Sequence, residues 1–347
     1  MDKAIGRFSN FHGGIKDESI LDFSISVNPF VPEFILKALT NALTNLRRYT
    51  YVEWIEEDFR KHFGEDSIIV AGATEAFQIL GWTLMEDSKI IIPTPNYTEY
   101  ERVANFKSRE VSKPNYLVAE KLEIEILKKS IENSCPSKKE RTVVITGNPN
   151  NPTGVFEDYS EILRWSLEKY GTDVIYVIDE AFIDFVPSNL RRDLNVKAYP
   201  NLVIVRSFTK ILGLPGVRIG YILSSTFKEH FERYRAPWGI GGDGYTVLKA
   251  LIENIEEYKK FVRQSQEFFT SERMRFAQFK YIQSLTNYIT IRVGNVEKFV
   301  KILNDNKMHV RTLHDFGMYE CVRLGLRTKE ENDKVLECLK FWFKEDS

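Results

Sequence analysis

The 347-residue sequence is short of cysteine and has almost no net charge, and each shortage removes a class of function. Its three cysteines, Cys135, Cys321 and Cys338, are odd in number and far apart. They offer neither metal-ligand spacing nor a disulfide framework, so a reducing cytoplasm is the expected compartment. Forty-eight Lys and Arg meet 49 Asp and Glu, for a net charge of −1. That balance leaves no basic footprint for nucleic acid and no general attraction to an anionic membrane. No stretch reaches the roughly 18 consecutive apolar residues of a membrane span. The opening Met-Asp-Lys-Ala-Ile-Gly-Arg lacks the apolar run of a signal peptide. Two phosphate motifs are missing as well: there is no Gly-x-x-x-x-Gly-Lys-Ser/Thr and no Gly-x-Gly-x-x-Gly after a strand. Internal repeats and low-complexity segments are also absent.

What is present suits a large soluble core. A hydrophobic fraction of 43% over this length allows two domains, or one domain with a substantial lobe. Residues 1–31 read as irregular, with a short strand near Leu21. Helical spacing covers Pro32–Leu46 and residues 52–63. From residue 68 short β-branched runs alternate with helical stretches: strands at 68–70, 89–92, 142–146, 174–178, 202–205 and 217–223. This alternation predicts an α/β domain with a mostly parallel sheet. Residues 225–280 read as helical, with a break at Ala236-Pro237-Trp238-Gly239. From 285 onward the pattern is α+β.

In an open parallel sheet, ligands sit at the carboxyl ends of the strands. After 68–70 comes Ala71-Gly72-Ala73-Thr74 at a helix start, where backbone N–H groups and the Thr74 hydroxyl can receive a phosphate. After 89–92 comes Tyr97, an aromatic that can stack on a planar ring. After 142–146 comes Asn151, an amide in a proline-fixed turn. After 174–178 comes Asp179, a carboxylate suited to a protonated ring nitrogen. After 202–205 come Ser207, Thr209 and Lys210, with Arg218 eight residues on. Singly, each has an ordinary explanation as a turn, a cap or a packing residue. Together they match one ligand, pyridoxal 5′-phosphate, whose usual protein environment is a lysine Schiff base with an acidic partner for the ring nitrogen.

Asn-Asn-Pro-Thr-Gly at 150–154, Asp-Glu-Ala-Phe at 179–182 and Ser-x-Thr-Lys at 207–210 followed by Arg218 resemble the fold-type I aminotransferase superfamily over nearly the whole chain. The resemblance implies a large domain with a mostly parallel seven-stranded sheet flanked by helices, and a smaller α+β domain. It implies boundaries at 1–31 for an N-terminal arm, 32–245 for the cofactor domain and 246–347 for the small domain. It makes Lys210 the Schiff-base residue and Asp179 the partner of the ring nitrogen. Asn151 would bond the 3′-oxygen, and Ala73, Thr74, Ser207, Thr209 and Arg218 would hold the phosphate. Tyr49 would reach that phosphate from a neighbouring subunit, which implies a homodimer with shared sites. Arg327 would take the substrate carboxylate.

Within the superfamily the chain resembles the histidinol-phosphate aminotransferase branch and, inside it, threonine-phosphate decarboxylases of cobalamin synthesis. His12-Gly13-Gly14, the Asn28-Pro29 pair, Phe182 in place of the usual tyrosine, and Ala-Pro-Trp at 236–238 carry that resemblance. It implies a phosphorylated amino acid as substrate, with His12, Asn28 and Arg311 around it. The implied reaction is decarboxylation of L-threonine O-3-phosphate to (R)-1-aminopropan-2-yl phosphate. Transamination of histidinol phosphate or another amino acid stays open as an alternative. So does a non-catalytic protein of this fold that binds or regulates. Arg-Tyr-Thr-Tyr at 48–51 and Gly239-Ile240-Gly241 depart from the family pattern.

Overall fold

A computed structural model describes residues 13–135 and 140–345. Its centre is a seven-stranded sheet of β1 (Ser67–Val70), β2 (Lys89–Ile91), β3 (Glu110–Ser112), β4 (Thr142–Gly147), β5 (Val174–Asp179), β6 (Leu202–Ser207) and β7 (Gly220–Leu223). The order across the sheet is β1-β7-β6-β5-β4-β2-β3. Only β7 runs antiparallel to its neighbours.

The strand sequences explain this placement. Every residue of β4 and β5 is buried. Their alternate side chains enter two different cores: Val143, Ile145, Ile175 and Val177 on one face, Val144, Val174, Tyr176 and Ile178 on the other. Continuous Val/Ile runs are what a sheet covered on both faces requires. Helix α1 (Gly72–Trp82) covers the first face with Ala76, Phe77 and Leu80. Helices α2 (Ile124–Ser134) and α3 (Ser160–Tyr170) cover the second with Leu127, Ile131, Ile162 and Leu163. Each of the larger burials, Leu, Ile or Phe, contributes about 1.5–3 kcal/mol.

The direction of β7 positions the site. Gly220, its first residue, pairs with Val70 at the end of β1 and with Ser207 at the end of β6. The entry to β7, including Arg218, therefore lies on the same sheet edge as the exits of β1, β5 and β6.

A second, antiparallel sheet follows the long helices Gly242–Glu253 and Ile255–Arg275. It comprises β8 (Tyr281–Ile282), β9 (Tyr288–Arg292), β10 (Arg311–Thr312) and β11 (Cys321–Gly325), ordered β8-β9-β11-β10. Val322 and Leu324 of β11 join Ile289, Ile291, Leu339 and Trp342 in its core, with Lys329–Glu345 as a packing helix. Strand alternation turns Arg323 to the opposite face. The Gly242–Glu253 helix runs without a break through position 245, where the sequence suggested a domain boundary. The expected helix over Pro32–Leu46 is two pieces, Glu33–Thr40 and Leu43–Leu46. No described helix is long and apolar enough to cross a membrane.

Candidate active site

The exits of β1, β4, β5 and β6 meet β10, β11 and the segment Ile25–Val27 around a cavity of about 250 Å³. Ala73, Thr74, Tyr97, Asn151, Asp179, Ser207, Thr209, Lys210, Arg218 and Arg311 all line it, so ten residues expected from the sequence converge.

One end is rich in hydrogen-bond donors. Gly72 holds φ +74°, and a Cβ there would lie 2.9 Å from the Arg218 guanidinium. The missing side chain lets Arg218 lie across the start of α1. Arg218 donates to Thr74 Oγ1 (3.4 Å) and to the Pro215 carbonyl (3.1 Å). Among the described residues no carboxylate pairs with it. Ser207 and Thr209 face the same end, their hydroxyls 2.8 Å apart. Three hydroxyls, an unneutralised guanidinium and a helix N-terminus make a cup whose donors suit a phosphate. Arg206, the other cation of this cluster, does not contribute, because Glu180 pairs with it at 2.7 Å.

Asp179 sits at the end of an apolar strand and is only 8% exposed. Burial lifts its carboxyl to about 6, although the Tyr100 hydroxyl and the Ala181 N–H, both donating to it, pull the other way. Tyr100 Oη donates to Oδ2 at 2.6 Å and Ala181 N to Oδ1 at 3.0 Å. Tyr97 stands edge-to-face against Tyr100, with ring centroids 5.6 Å apart. Lys210 is pushed down to about 8, by burial first and then by Arg323 and Arg218, with Asp179 opposing. Its segment is fixed from behind: Asn28 N donates to the Lys210 carbonyl (2.9 Å), and Asn28 Nδ2 donates to the Ile211 carbonyl (3.0 Å).

That last contact corrects one expectation. Asn28 was expected at the substrate; it does not line the cavity and is 2% exposed. Its side chain is committed to Ile211, Ser265 and Phe30, which makes it a brace for the lysine loop. Arg327 needs a correction too. It lies beyond the end of β11 and is absent from the cavity wall. Its guanidinium pairs with Glu331 (3.0 Å) and donates to the Asp22 carbonyl (3.2 Å). Strand β11 stops at Gly325, where a Cβ would collide with the Ile25 carbonyl. The chain then turns toward the Lys329–Glu345 helix and carries Arg327 away.

Arg323 occupies the wall instead. It donates to the Asn151 side-chain oxygen and, at 2.9 Å, to the Ser24 carbonyl, and it lies over the Tyr288 ring at 5.2 Å. Burial lowers it to about 10, with Arg311 pushing the same way and Tyr288 opposing. Among the described residues its Nε has no partner. The available signal was a lone charge inside the apolar strand 321–325. Tyr100 was missed as well, although it lies one helical turn after Tyr97. Tyr49 does not line the cavity; it is 69% exposed and its ring rests on Trp238. His12 lies outside the described residues.

The residues fit pyridoxal phosphate. The cup offers hydroxyls and an unneutralised arginine, Asp179 offers a buried carboxylate at the next strand end, and Lys210 offers an amine of lowered basicity between them. No group of His, Cys, Asp and Glu among the described residues could hold a metal ion.

Comparison with known proteins agrees with this geometry. The family model "Aminotransferase class I and II" matches residues 19–339. Histidinol-phosphate aminotransferase 2 of Archaeoglobus fulgidus is 25% identical over 93% of this chain and 93% of its own. The histidinol-phosphate aminotransferase of Leuconostoc citreum is 29% identical over 92% and 86%. Among solved structures, histidinol-phosphate aminotransferase from Clostridium acetobutylicum superposes with a TM-score of 0.80 at 24% identity, covering 92% of this chain and 98% of that one. The Sinorhizobium meliloti enzyme, solved in complex with pyridoxal-5′-phosphate, gives 0.79 at 18%, covering 93% and 90%. L-threonine-O-3-phosphate decarboxylase from Porphyromonas gingivalis gives 0.77 at 21%, covering 94% and 100%. This chain belongs to the aminotransferase class I and II family and is a pyridoxal-phosphate-dependent enzyme.

Proposed function

We propose that the protein decarboxylates a phosphorylated amino acid, with L-threonine O-3-phosphate as the best-fitting substrate. The observation that carries this reading is the pair of arginines beyond the cofactor groups. Arg311 and Arg323 face each other across β10 and β11 and both line the cavity. Two cations there suit a substrate with two anions. L-Threonine O-3-phosphate brings a carboxylate and a phosphate on one molecule, whereas histidinol phosphate has only the phosphate and a transaminase would fill both arginines only with its dicarboxylate co-substrate. Phe182 supports the same reading: it lines the cavity without a hydroxyl, its ring packed edge-on against Tyr288 at 5.0 Å.

Ser207, Thr209, Thr74, Ala73 and Arg218 would hold the cofactor phosphate. Tyr97 would flank the ring, Asn151 would bond the 3′-oxygen and Asp179 would hold a proton at the ring nitrogen. When bound, the cofactor supplies an electron sink for the bond broken at the substrate Cα. Arg323 takes the carboxylate and Arg311 the phosphate, and between them they set which Cα bond is aligned to break. Lys210 Nζ, with its basicity lowered to about 8, can both hold and release a proton near neutral pH, so it returns one to Cα after CO₂ leaves.

The named relatives favour a second reading, transamination of histidinol phosphate. One assay separates the two. Purified holoenzyme with phosphothreonine and no keto acid should release CO₂ and aminopropanol phosphate. The proposal fails if no CO₂ appears while histidinol phosphate turns over with 2-oxoglutarate.

The working unit in this reading is a homodimer. Leu43, Trp54 and Tyr49 are 72%, 70% and 69% exposed within a dozen residues, a concentration of apolar surface uncommon on a monomer. A second copy would cover it and bring Tyr49 to the neighbouring phosphate cup. Light scattering that gives a fully active monomer would contradict this.

A further inference from the structure

Arg311 and Arg323 are direct cross-strand partners in the antiparallel pair β10–β11. Like charges placed opposite each other in this way destabilise a sheet unless an anion intervenes. Arg323 is held by neutral acceptors, the Asn151 side chain and the Ser24 carbonyl. Arg311 has an anion. Its Nη2 pairs with Asp315, its Nη1 donates to the Thr312 carbonyl at 2.8 Å, and its guanidinium lies over the Phe316 ring at 5.3 Å. Both members of the ion pair are largely shielded, with 8% and 17% of their side chains exposed. A substrate phosphate arriving at Arg311 therefore meets a guanidinium already neutralised by a carboxylate.

The surroundings give that carboxylate somewhere to go. Asp315 sits on the short turn His314–Phe316, which ends at Gly317 in the left-handed region with φ +75°. The turn separates the main cavity from an outer cleft. Phe316 borders both spaces, and Asp315 and Lys113 border the outer one. Lys113 is about half exposed and pairs with Glu101, which borders the same cleft, so a displaced Asp315 would share that cation with Glu101.

We propose that Asp315 is a specificity-determining counter-ion that competes with the distal anion of the substrate for Arg311. This rests on the reading that the substrate phosphate binds at Arg311. In the free enzyme Asp315 neutralises Arg311 and lets the two cross-strand arginines coexist. An incoming dianion outcompetes it, because a phosphate can bond Arg311 through more than one oxygen with a higher charge. Substrates with a neutral side chain cannot displace it and gain nothing from Arg311. The affinity lost to displacement is exchanged for discrimination, since repulsion by Asp315 weakens every weaker anion as well.

The test uses holoenzyme and rapid-mixing titration with L-threonine O-phosphate and, separately, L-threonine, read from the cofactor absorbance in the binding phase before turnover. Asp315→Asn keeps an oxygen acceptor for Arg311 but removes the charge. It should tighten phosphothreonine by roughly ten-fold, the scale of a partly buried charge contact, and leave threonine within about two-fold. Inorganic phosphate, as a competitor of phosphothreonine, should tighten in the same variant. If Asp315 merely orients Arg311, the asparagine variant binds phosphothreonine equally or more weakly, and the inference is overturned. Arg311→Gln separates the two levels. Weaker phosphothreonine binding in Arg311→Gln alongside an unchanged Asp315→Asn sinks the counter-ion role alone. Unchanged binding in Arg311→Gln sinks the substrate reading and the counter-ion role with it.

Discussion

Replacing Asp179 with asparagine should make the cofactor-free protein more stable at neutral pH than the wild type, and the size follows from the site. Burial raises the Asp179 carboxyl from its ordinary 3.8 to about 6. The folded state therefore holds this proton more tightly than the unfolded chain does. Stability from that proton is fully present below 3.8 and is lost as pH rises through about 6. The gap of about two pH units corresponds to about 3 kcal/mol, at roughly 1.4 kcal/mol per unit. The side chain is 8% exposed, so solvent screening removes little of this. Asparagine does not ionise and keeps an acceptor for the Tyr100 hydroxyl. The stability difference, variant minus wild type, should grow by about 3 kcal/mol between pH 3 and pH 7 and then level off. With roughly 2 cal/mol/K per residue of unfolding entropy, that is a melting difference of about 4 °C. Urea unfolding of both cofactor-free proteins at half-unit pH steps measures it. In the holoenzyme, where the proposed ring-nitrogen partner would meet the carboxylate, the divergence should disappear. Parallel curves for the two cofactor-free proteins from pH 3 to 7 would refute the claim that burial, rather than a compensating partner, governs Asp179.

Three other outcomes follow from the same geometry. Arg323→Lys should raise the KM of a carboxylate substrate at least 30-fold, because truncating a buried hydrogen-bonded charge contact costs roughly 2–5 kcal/mol. Arg327→Ala should leave KM within about two-fold, since its ion pair with Glu331 is partly exposed; steady-state kinetics that reverse this order would return the carboxylate to Arg327. Tyr100→Phe removes a hydrogen bond that lowers the Asp179 carboxyl, so the midpoint of the pH-dependent divergence should move up by about one unit. A midpoint that stays or falls would show that Tyr100 does not stabilise the charged form.

The strand ends were legible because the strands themselves were. Val174–Asp179 is an apolar run that stops at a carboxylate, and Leu202–Ser207 stops at hydroxyls, so the ligand-binding edge of the sheet could be read directly from the sequence. Arg218 was legible only through its company. Its position depends on β7 running backwards, and a short run such as Gly220–Leu223 does not disclose its direction. Arg323 and Arg327 are four residues apart, and both follow apolar residues. What separates them is where β11 ends, which is set by contact between Gly325 and the Ile25 carbonyl 300 positions earlier in the chain. Asn28 looked like a site residue because it lies next to the site. Its role as a brace depends on Ile211 and Ser265, partners that local sequence cannot supply. The Pro32–Leu46 stripe promised one buried helix, yet Leu36, Leu43 and Leu46 remain exposed. Helical spacing identifies an apolar face without saying whether the same chain or a second copy covers it.

Lys210 is the residue on which the proposed site rests, and one measurement addresses it directly. The purified holoenzyme is reduced with borohydride, digested, and mapped by mass spectrometry for a lysine carrying the pyridoxyl group. The label is expected on Lys210 alone, and Lys210→Ala should abolish both the label and the visible absorbance. A label on any other lysine, or none on a protein that still turns over substrate, would contradict the assignment of this cavity as the active site.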